Sequence, residues 1–317
     1  MLEALLYSNP NVKGMGRQVL VNLQRVVVVV ALFLLVSWLV QPYIHSEKTY
    51  TPKTLRIGVL PDDSEAALRQ RHSSLIEYLS EQLVIQVELI IPNDYPEIVA
   101  LFGRGELDLA YFGGLTFVQA QARHGAQPLV MRDIDERFSS LLFTHPQHTA
   151  HTLSDFKGGI LLFGSQLSTS GHLMPRHFLQ KQLKKDVNQH FSNIQFSGNH
   201  HNTVVQVLSG KADLGAVNSE IIQTMLRDGR ILEDDIRVIE QTPPYTNYVW
   251  AVPDNLAEKT KNQLRDAFLR LGTHDKLHQD ILTQSGASRF LPANNRDFKQ
   301  LKNIADQVNM LNPEGNK

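Results

Sequence analysis

Gly159-Ile160-Leu161-Leu162-Phe163-Gly164-Ser165-Gln166-Leu167-Ser168-Thr169-Ser170-Gly171-His172 is the segment whose reading decides the fold. The run from Gly159 to Phe163 is short and apolar, and reads as a buried strand. The Gly164-Ser165 pair breaks it. A helical pattern then runs from His172 through Met174, Phe178 and Leu179. A strand that passes through a hydroxyl-rich turn into a helix is a building unit of an α/β sheet. The first N–H groups of a helix lack intrahelical acceptors, and the macrodipole adds roughly half a positive charge there, so such an end takes up oxyanions. An ordinary Ser/Thr N-cap accounts for one hydroxyl. Three in succession, Ser168, Thr169 and Ser170, point to an anion cradle.

The same grammar extends on both sides. Upstream, the pattern predicts a strand from Leu55 to Leu60, a helix over 64–83 and a strand alternating from Ile85 to Ile91. A helix from Tyr95 to Phe102 comes next, stopped by Gly103 and Gly105, then a strand from Leu107 to Phe112 and a helix from Thr116 to Ala122. Downstream, segments 194–196, 203–208, 214–217, 220–226 and 236–239 alternate strand and helix. Thr242-Pro243-Pro244-Tyr245 interrupts them. A strand over 248–252 and helices over 255–271 and 296–310 complete the chain. Alternating strands and helices imply mostly parallel sheets covered by helices. An internal echo divides them in two. Gly105-Glu106-Leu107-Asp108-Leu109 and Gly210-Lys211-Ala212-Asp213-Leu214 each end a helix and open a strand. The reading is two α/β lobes with a ligand cleft between them, beyond the carboxyl ends of the strands.

The 317 residues suffice for two such lobes, and 42% hydrophobic with 20% charged residues is a globular composition. A net charge of −1, without a basic stripe, argues against nucleic acid as a partner. The chain has no cysteine, which excludes disulfides and thiolate metal sites. Val26 to Val40 is apolar apart from Ser37, and Lys13, Arg17 and Arg25 precede it. That order keeps residues 1–25 cytoplasmic and exports the remainder of the chain. The segment is read as a signal anchor in preference to a cleaved signal peptide, because no small-residue cleavage site comes after it. Residues 41–54 then read as a tether.

Several motifs fall together in a known order. They are Asn93-Asp94-Tyr95, Asp108-Leu109-Ala110-Tyr111-Phe112-Gly113, Ser168-Thr169-Ser170-Gly171 with Pro175, Ser197-Gly198-Asn199-His200, Asn218-Ser219-Glu220, and Thr242-Pro243-Pro244-Tyr245 before Val249-Trp250. In this order and spacing, over residues 55 to 292, the chain resembles the PhnD-like periplasmic phosphate/phosphite/phosphonate-binding proteins of ABC transporters. The resemblance implies a type II periplasmic-binding-protein fold, with lobe one at 55–143 and 247–310, lobe two at 153–241 and hinges near 144–152 and 242–246. It implies no catalysis, cofactor or metal. It assigns the phosphoryl oxygens to Ser168, Thr169 and Ser170, with contacts from Tyr95, His200 and Glu220, and an aromatic wall from Tyr111 or Phe112. Hydroxyls and N–H groups hold an oxyanion without a fixed cation beside it, which suits reversible capture; a micromolar complex needs only about −8 kcal/mol. Glu220 is expected to accept a proton-bearing oxygen or amine of the ligand.

The chain departs from the family pattern at two places. Gly114 stands where many relatives have proline, and the turn Tyr245-Thr246-Asn247 lacks the acid of aminophosphonate binders. The expected guest is therefore phosphate, phosphite or a small uncharged-tail phosphonate. Three rival functions are weighed. An enzyme would use Ser168, His200 and Glu220 as a Ser-His-acid set, but no G-x-S-x-G elbow is present. A metal carrier would use His172, His177, His200 and His201, which lack ligand spacing. A membrane-tethered sensor would report the ligand to a kinase instead of an ABC permease. The expected site of action is the periplasm, attached to the inner membrane through residues 26–40.

Overall fold

A computed structural model describes residues 21–33, 35 and 49–311. Residues 21–33 form helix α1, with exposed valines, leucines and a phenylalanine. Among the described residues no helix is long and apolar enough to cross a membrane. Residues 34 and 36–40 of the expected span, the n-region up to residue 20 and most of the expected tether lie outside the described residues.

From Tyr50 onward the chain builds two sheets. The first has six strands in the order β11-β4-β10-β3-β1-β2. They are β1 (Thr54–Val59), β2 (Gln86–Ile90), β3 (Leu109–Phe112), β4 (Gln127–Arg132), β10 (Val249–Val252) and β11 (Phe290–Pro292). The second has five in the order β7-β6-β8-β5-β9: β5 (Ser140–Thr144), β6 (Ile160–Phe163), β7 (Asn193–Phe196), β8 (Leu214–Asn218) and β9 (Arg237–Gln241). β1 runs parallel to β2 and β3, and β6 parallel to β7 and β8. β10 pairs antiparallel with β3 and β4, and β5 pairs antiparallel with β8 and β9. Each sheet thus receives a reversed strand directly after a crossover between the sheets, and β11, antiparallel to β4, adds a second to the first sheet.

Helices α2 (Glu65–Leu83), α3 (Tyr95–Gly103), α4 (Gly114–His124), α8 (Glu258–Arg270), α9 (Lys276–Ser285) and α10 (Lys299–Gln307) belong to the first lobe. Helices α5 (Met174–Leu183), α6 (His200–Leu208) and α7 (Ser219–Arg227) belong to the second. In the second lobe, the strand alternation sorts side chains onto two covered faces. Leu141, Phe143 and Leu162 pack with Val204 and Ile221 on one, and Leu142, Leu161 and Phe163 pack with Leu179 and Phe191 on the other. Burial on both faces is why these strands read as apolar runs.

The sequence echo has a structural counterpart. Asp108 Oδ2 accepts from the N–H of Arg56 at 2.8 Å, and Asp213 Oδ2 accepts from the N–H of Ile160 at 2.7 Å. In each lobe a carboxylate at the start of one strand holds the neighbouring parallel strand in register.

The boundary expected at 144–152 moves upstream. β5 belongs to the second sheet, so 144–152 lies inside that lobe and the outward crossover is 133–139. Nothing in the apolar run Ser140–Thr144 distinguishes which sheet it joins. The return crossover is 242–248. The two lie side by side, with Phe138 and Tyr245 exchanging N–H···O bonds of 2.9 Å. Arg132 anchors this pair. Its Nε and Nη2 donate to Asp135 at 2.8 Å each, its Nη1 donates to the Ser285 carbonyl at 2.7 Å, and the Asp135 carbonyl accepts from the Asn247 N–H at 3.0 Å. Asp135 is fully buried, so removing its partner strands a charge. Arg132→Met should destabilise the protein by about 3–5 kcal/mol, read from urea unfolding; a loss under 1 kcal/mol would show that the pair does not hold the crossover.

Candidate functional site

The hydroxyl run forms a single π-helical turn, Thr169–Leu173, leading into α5. Such turns recur at functional sites because they widen the helix locally. Ser168, Thr169 and Ser170 are each at most 3% exposed. Ser168 is the N-cap, and its Oγ accepts from the Gly171 N–H at 2.9 Å. Thr169 reaches across to the other lobe, where its Oγ1 accepts from the Leu115 N–H in the first turn of α4 at 2.7 Å. Ser170 Oγ lies 3.4 Å from His200 Nε2. A Cβ on Gly171 would come within 2.9 Å of both His200 Cε1 and Ser168 Oγ, so the turn closes only with glycine there.

His200 opens α6 and is fully enclosed. Burial pushes its imidazole pKa down to about 3, against a smaller opposing pull from Asp63, so the ring is neutral. Its Nδ1 accepts from the Asn218 N–H at 3.3 Å. The ring proton therefore resides on Nε2 and is directed at Ser170.

Tyr95, held at the start of α3 by the Asp94 N-cap and Pro96, is 1% exposed. Burial raises its phenol pKa well above the ordinary value; nearby Asp62 adds to this and the Ser168 hydroxyl opposes it. Tyr95 thus lies next to Ser168, yet its OH makes no hydrogen bond of normal geometry. A second buried donor is in the same condition. Asn247 is 0% exposed, its Oδ1 accepts from the Gly114 N–H at 3.2 Å, and its Nδ2 has no partner. Asn247 and Thr169 cap consecutive N–H groups of α4, so the orphaned amide hydrogens lie beside the hydroxyl turn. In the sequence Asn247 stands out only as the residue where an acid is missing. The Gly114 departure gains a role here, because a proline would have no N–H to give it.

The remaining expected residues divide. β3 turns Tyr111 and Phe112 to opposite faces. Phe112 packs in the core against Phe102, ring centroids 5.3 Å apart, and does not line the cleft as expected. Tyr111 stacks on Tyr248 at 5.2 Å and meets Trp250 at 4.7 Å. Tyr111 and Glu220 line a neighbouring cavity of about 40 Å³ with Asp62, His72, Arg132 and Tyr248. Glu220 Oε2 lies against Gly286, where an added Cβ would sit 2.6 Å away, with Arg132 Nη1 alongside. The structure therefore groups Glu220 with Arg132 and not with the hydroxyl turn. His72 in this cavity is neutral, its pKa pushed down to about 3 by burial and then by Arg71 and Arg132.

The lobes are also tied by ions. Asp63, after β1, accepts from Arg71 of its own lobe at 2.9 Å and from Arg230 of the other at 2.9 and 3.1 Å. Burial alone would raise the Asp63 carboxyl; bonds from Arg230 and the Ser64 N–H, with Arg71, hold it below its ordinary value. Tyr248 OH donates to Asp62 at 3.0 Å and accepts from Asn218 Nδ2 at 2.9 Å, a further link between lobes.

Two sheets joined by paired crossovers, with polar groups converging between them, define the type II periplasmic-binding-protein fold. The family model for ABC transporter, phosphonate, periplasmic substrate-binding protein matches residues 57–298. The chain belongs to that family. It is 31% identical over 292 residues to a probable ABC transporter phosphite binding protein PhnD1 of Prochlorococcus marinus (strain MIT 9301), covering 88% of this chain and 98% of the relative. It is 24% identical over 277 residues to the phosphate-import protein PhnD of Mycolicibacterium smegmatis, covering 80% and 86%. The solved structure of Prochlorococcus PhnD1 in complex with methylphosphonate superposes with a TM-score of 0.77 at 30% identity, covering 82% of this chain and 100% of that one.

Thr169→Val keeps the side-chain shape and removes both a donor to the cleft and the acceptor for Leu115. It should weaken ligand binding by roughly 1–3 kcal/mol, measured by calorimetry; unchanged affinity would remove Thr169 from the site.

Proposed function

We propose that the protein is the periplasmic substrate-binding component of an ABC transporter and captures a small phosphorus oxyanion, such as phosphite, methylphosphonate or phosphate, in the cleft beside Ser168–Gly171. The observation that carries this is the pair of buried donors without partners, Tyr95 OH and Asn247 Nδ2, next to the hydroxyl turn. Leaving a buried polar group unpaired costs about 1–3 kcal/mol, so a bound acceptor relieves both. The names of the relatives, phosphite-binding and phosphate-import, support the same ligand class. Ser168, Thr169, Ser170, Tyr95, Asn247 and His200 form the binding set in this reading. Lobe closure brings Thr169 to Leu115 and Arg230 to Asp63, which presents the closed shape that a permease recognises.

Catalysis by a Ser-His-acid set is disfavoured by the tautomer of His200. With Nδ1 accepting from Asn218, the proton sits on Nε2, and the ring cannot take one from a serine. Glu220, directed at Gly286, does not serve as its third member.

Calorimetry of the purified protein should show binding of phosphite or methylphosphonate, and no binding of any phosphorus oxyanion would refute the reading. The apolar run 26–40, behind Lys13, Arg17 and Arg25, is proposed to tether the protein to the inner membrane. Membrane fractionation with N-terminal sequencing should find residues 26–40 on the membrane-bound protein; a soluble periplasmic protein that begins after residue 40 would overturn the tether.

A further inference from the structure

The binding turn offers hydrogens almost everywhere, and each has a cause in the surrounding bonds. A hydroxyl that already accepts a protein N–H can turn its own hydrogen outward, and a side-chain amide whose oxygen is so engaged presents its NH2 group. Ser168 Oγ accepts from Gly171, Thr169 Oγ1 from Leu115, and Asn247 Oδ1 from Gly114. Ser170 Oγ receives the Nε2 proton of His200, whose tautomer Asn218 sets. The Gly114 bond also fixes the orientation of the Asn247 amide, so Nδ2 and not Oδ1 is the atom left without a partner. Tyr95 OH is the remaining unpartnered group.

Among the described residues, the carboxylates around the turn face other groups. Asp62, which faces Tyr95, takes Arg71 on Oδ1 at 3.4 Å and Tyr248 on Oδ2 at 3.0 Å, and burial, opposed by Arg71, raises its carboxyl above the ordinary value. Asp63 is taken by Arg71 and Arg230, Asp135 by Arg132, and Glu220 lies against Gly286 beside Arg132. The other titratable neighbours do not change charge near neutral pH. His200 and His172 are held neutral by burial, and burial raises Tyr95, Tyr245 and Tyr248.

Resting on the proposed function, we infer that the cleft selects the fully deprotonated form of its oxyanion, with Asn247 as the residue that sets this preference. A P–OH group would find only hydroxyl lone pairs to receive its hydrogen, weaker acceptors than a carboxylate, and would set that hydrogen among the amide and imidazole donors. A bare tetrahedral dianion satisfies every donor. This reverses the expectation that Glu220 receives a proton-bearing oxygen.

Calorimetry of the full chain with phosphite and with methylphosphonate, from mildly acidic to mildly alkaline pH, tests the inference. Affinity should be flat above each ligand's second ionisation and fall about tenfold per pH unit below it. Phosphite has the more acidic second proton, so its break should come at lower pH. A common break for both ligands would assign the titration to the protein, Asp62 being the first suspect, and would overturn the inference. Affinity that is flat or rises on acidification would also overturn it. Asn247→Asp restores an acceptor and should make binding tighten on acidification; a variant that keeps the original slope shows that residue 247 does not set the preference. Failure of both ligands to bind at any pH refutes the functional reading itself and is distinct from these outcomes.

Discussion

The cleft is governed by one electrostatic constraint: helix N-termini from both lobes face the same small space. α3 and α4 enter from the first lobe, and the π turn before α5, together with α6, enters from the second. Each end carries partial positive charge and N–H groups without helical acceptors. Brought together without a counter-charge they repel. Part of this repulsion is offset by mutual capping, in which the Thr169 hydroxyl takes the Leu115 N–H and the Asn247 carbonyl oxygen takes that of Gly114. The remainder is left for a guest that supplies negative oxygens.

The acids present are used for architecture. Asp108 and Asp213 lock strand register in the two lobes, Asp135 holds Arg132 beneath the crossovers, and Asp63 draws Arg230 across the cleft. Pairing Asp108, Asp135 and Asp63 with arginines keeps these carboxylates from facing the anion uncompensated. The Phe138–Tyr245 bridge lies at the crossovers and is made of backbone bonds, which can bend without losing side-chain contacts.

Much of this was legible in the sequence for physical reasons. Strand and helix periods are written in apolar spacing, and the Gly-x-x-Asp-Leu echo exposed two lobes because one register device is used twice. The Ser-Thr-Ser turn was visible because three hydroxyls at a helix start exceed what capping needs. Other features depend on pairing partners far along the chain. The allegiance of β5 is set by its register with β8 and not by its own residues. The choice between Tyr111 and Phe112 depends on which of them faces Trp250 across β10. Asn247 carried no signal beyond the acid it lacked, since an orphaned amide becomes visible only when its Oδ1 is seen to be engaged. Glu220 misleads because a helix-start acid in the right motif looks the same whether it faces the ligand or Gly286.

The account is tested most directly by a crystal structure of the protein with methylphosphonate. It predicts the phosphonate oxygens within hydrogen-bonding distance of Ser168, Thr169, Tyr95 OH and Asn247 Nδ2, with Glu220 still against Gly286. A ligand bound instead in the His72 cavity, or with Glu220 turned to contact it, would contradict the account.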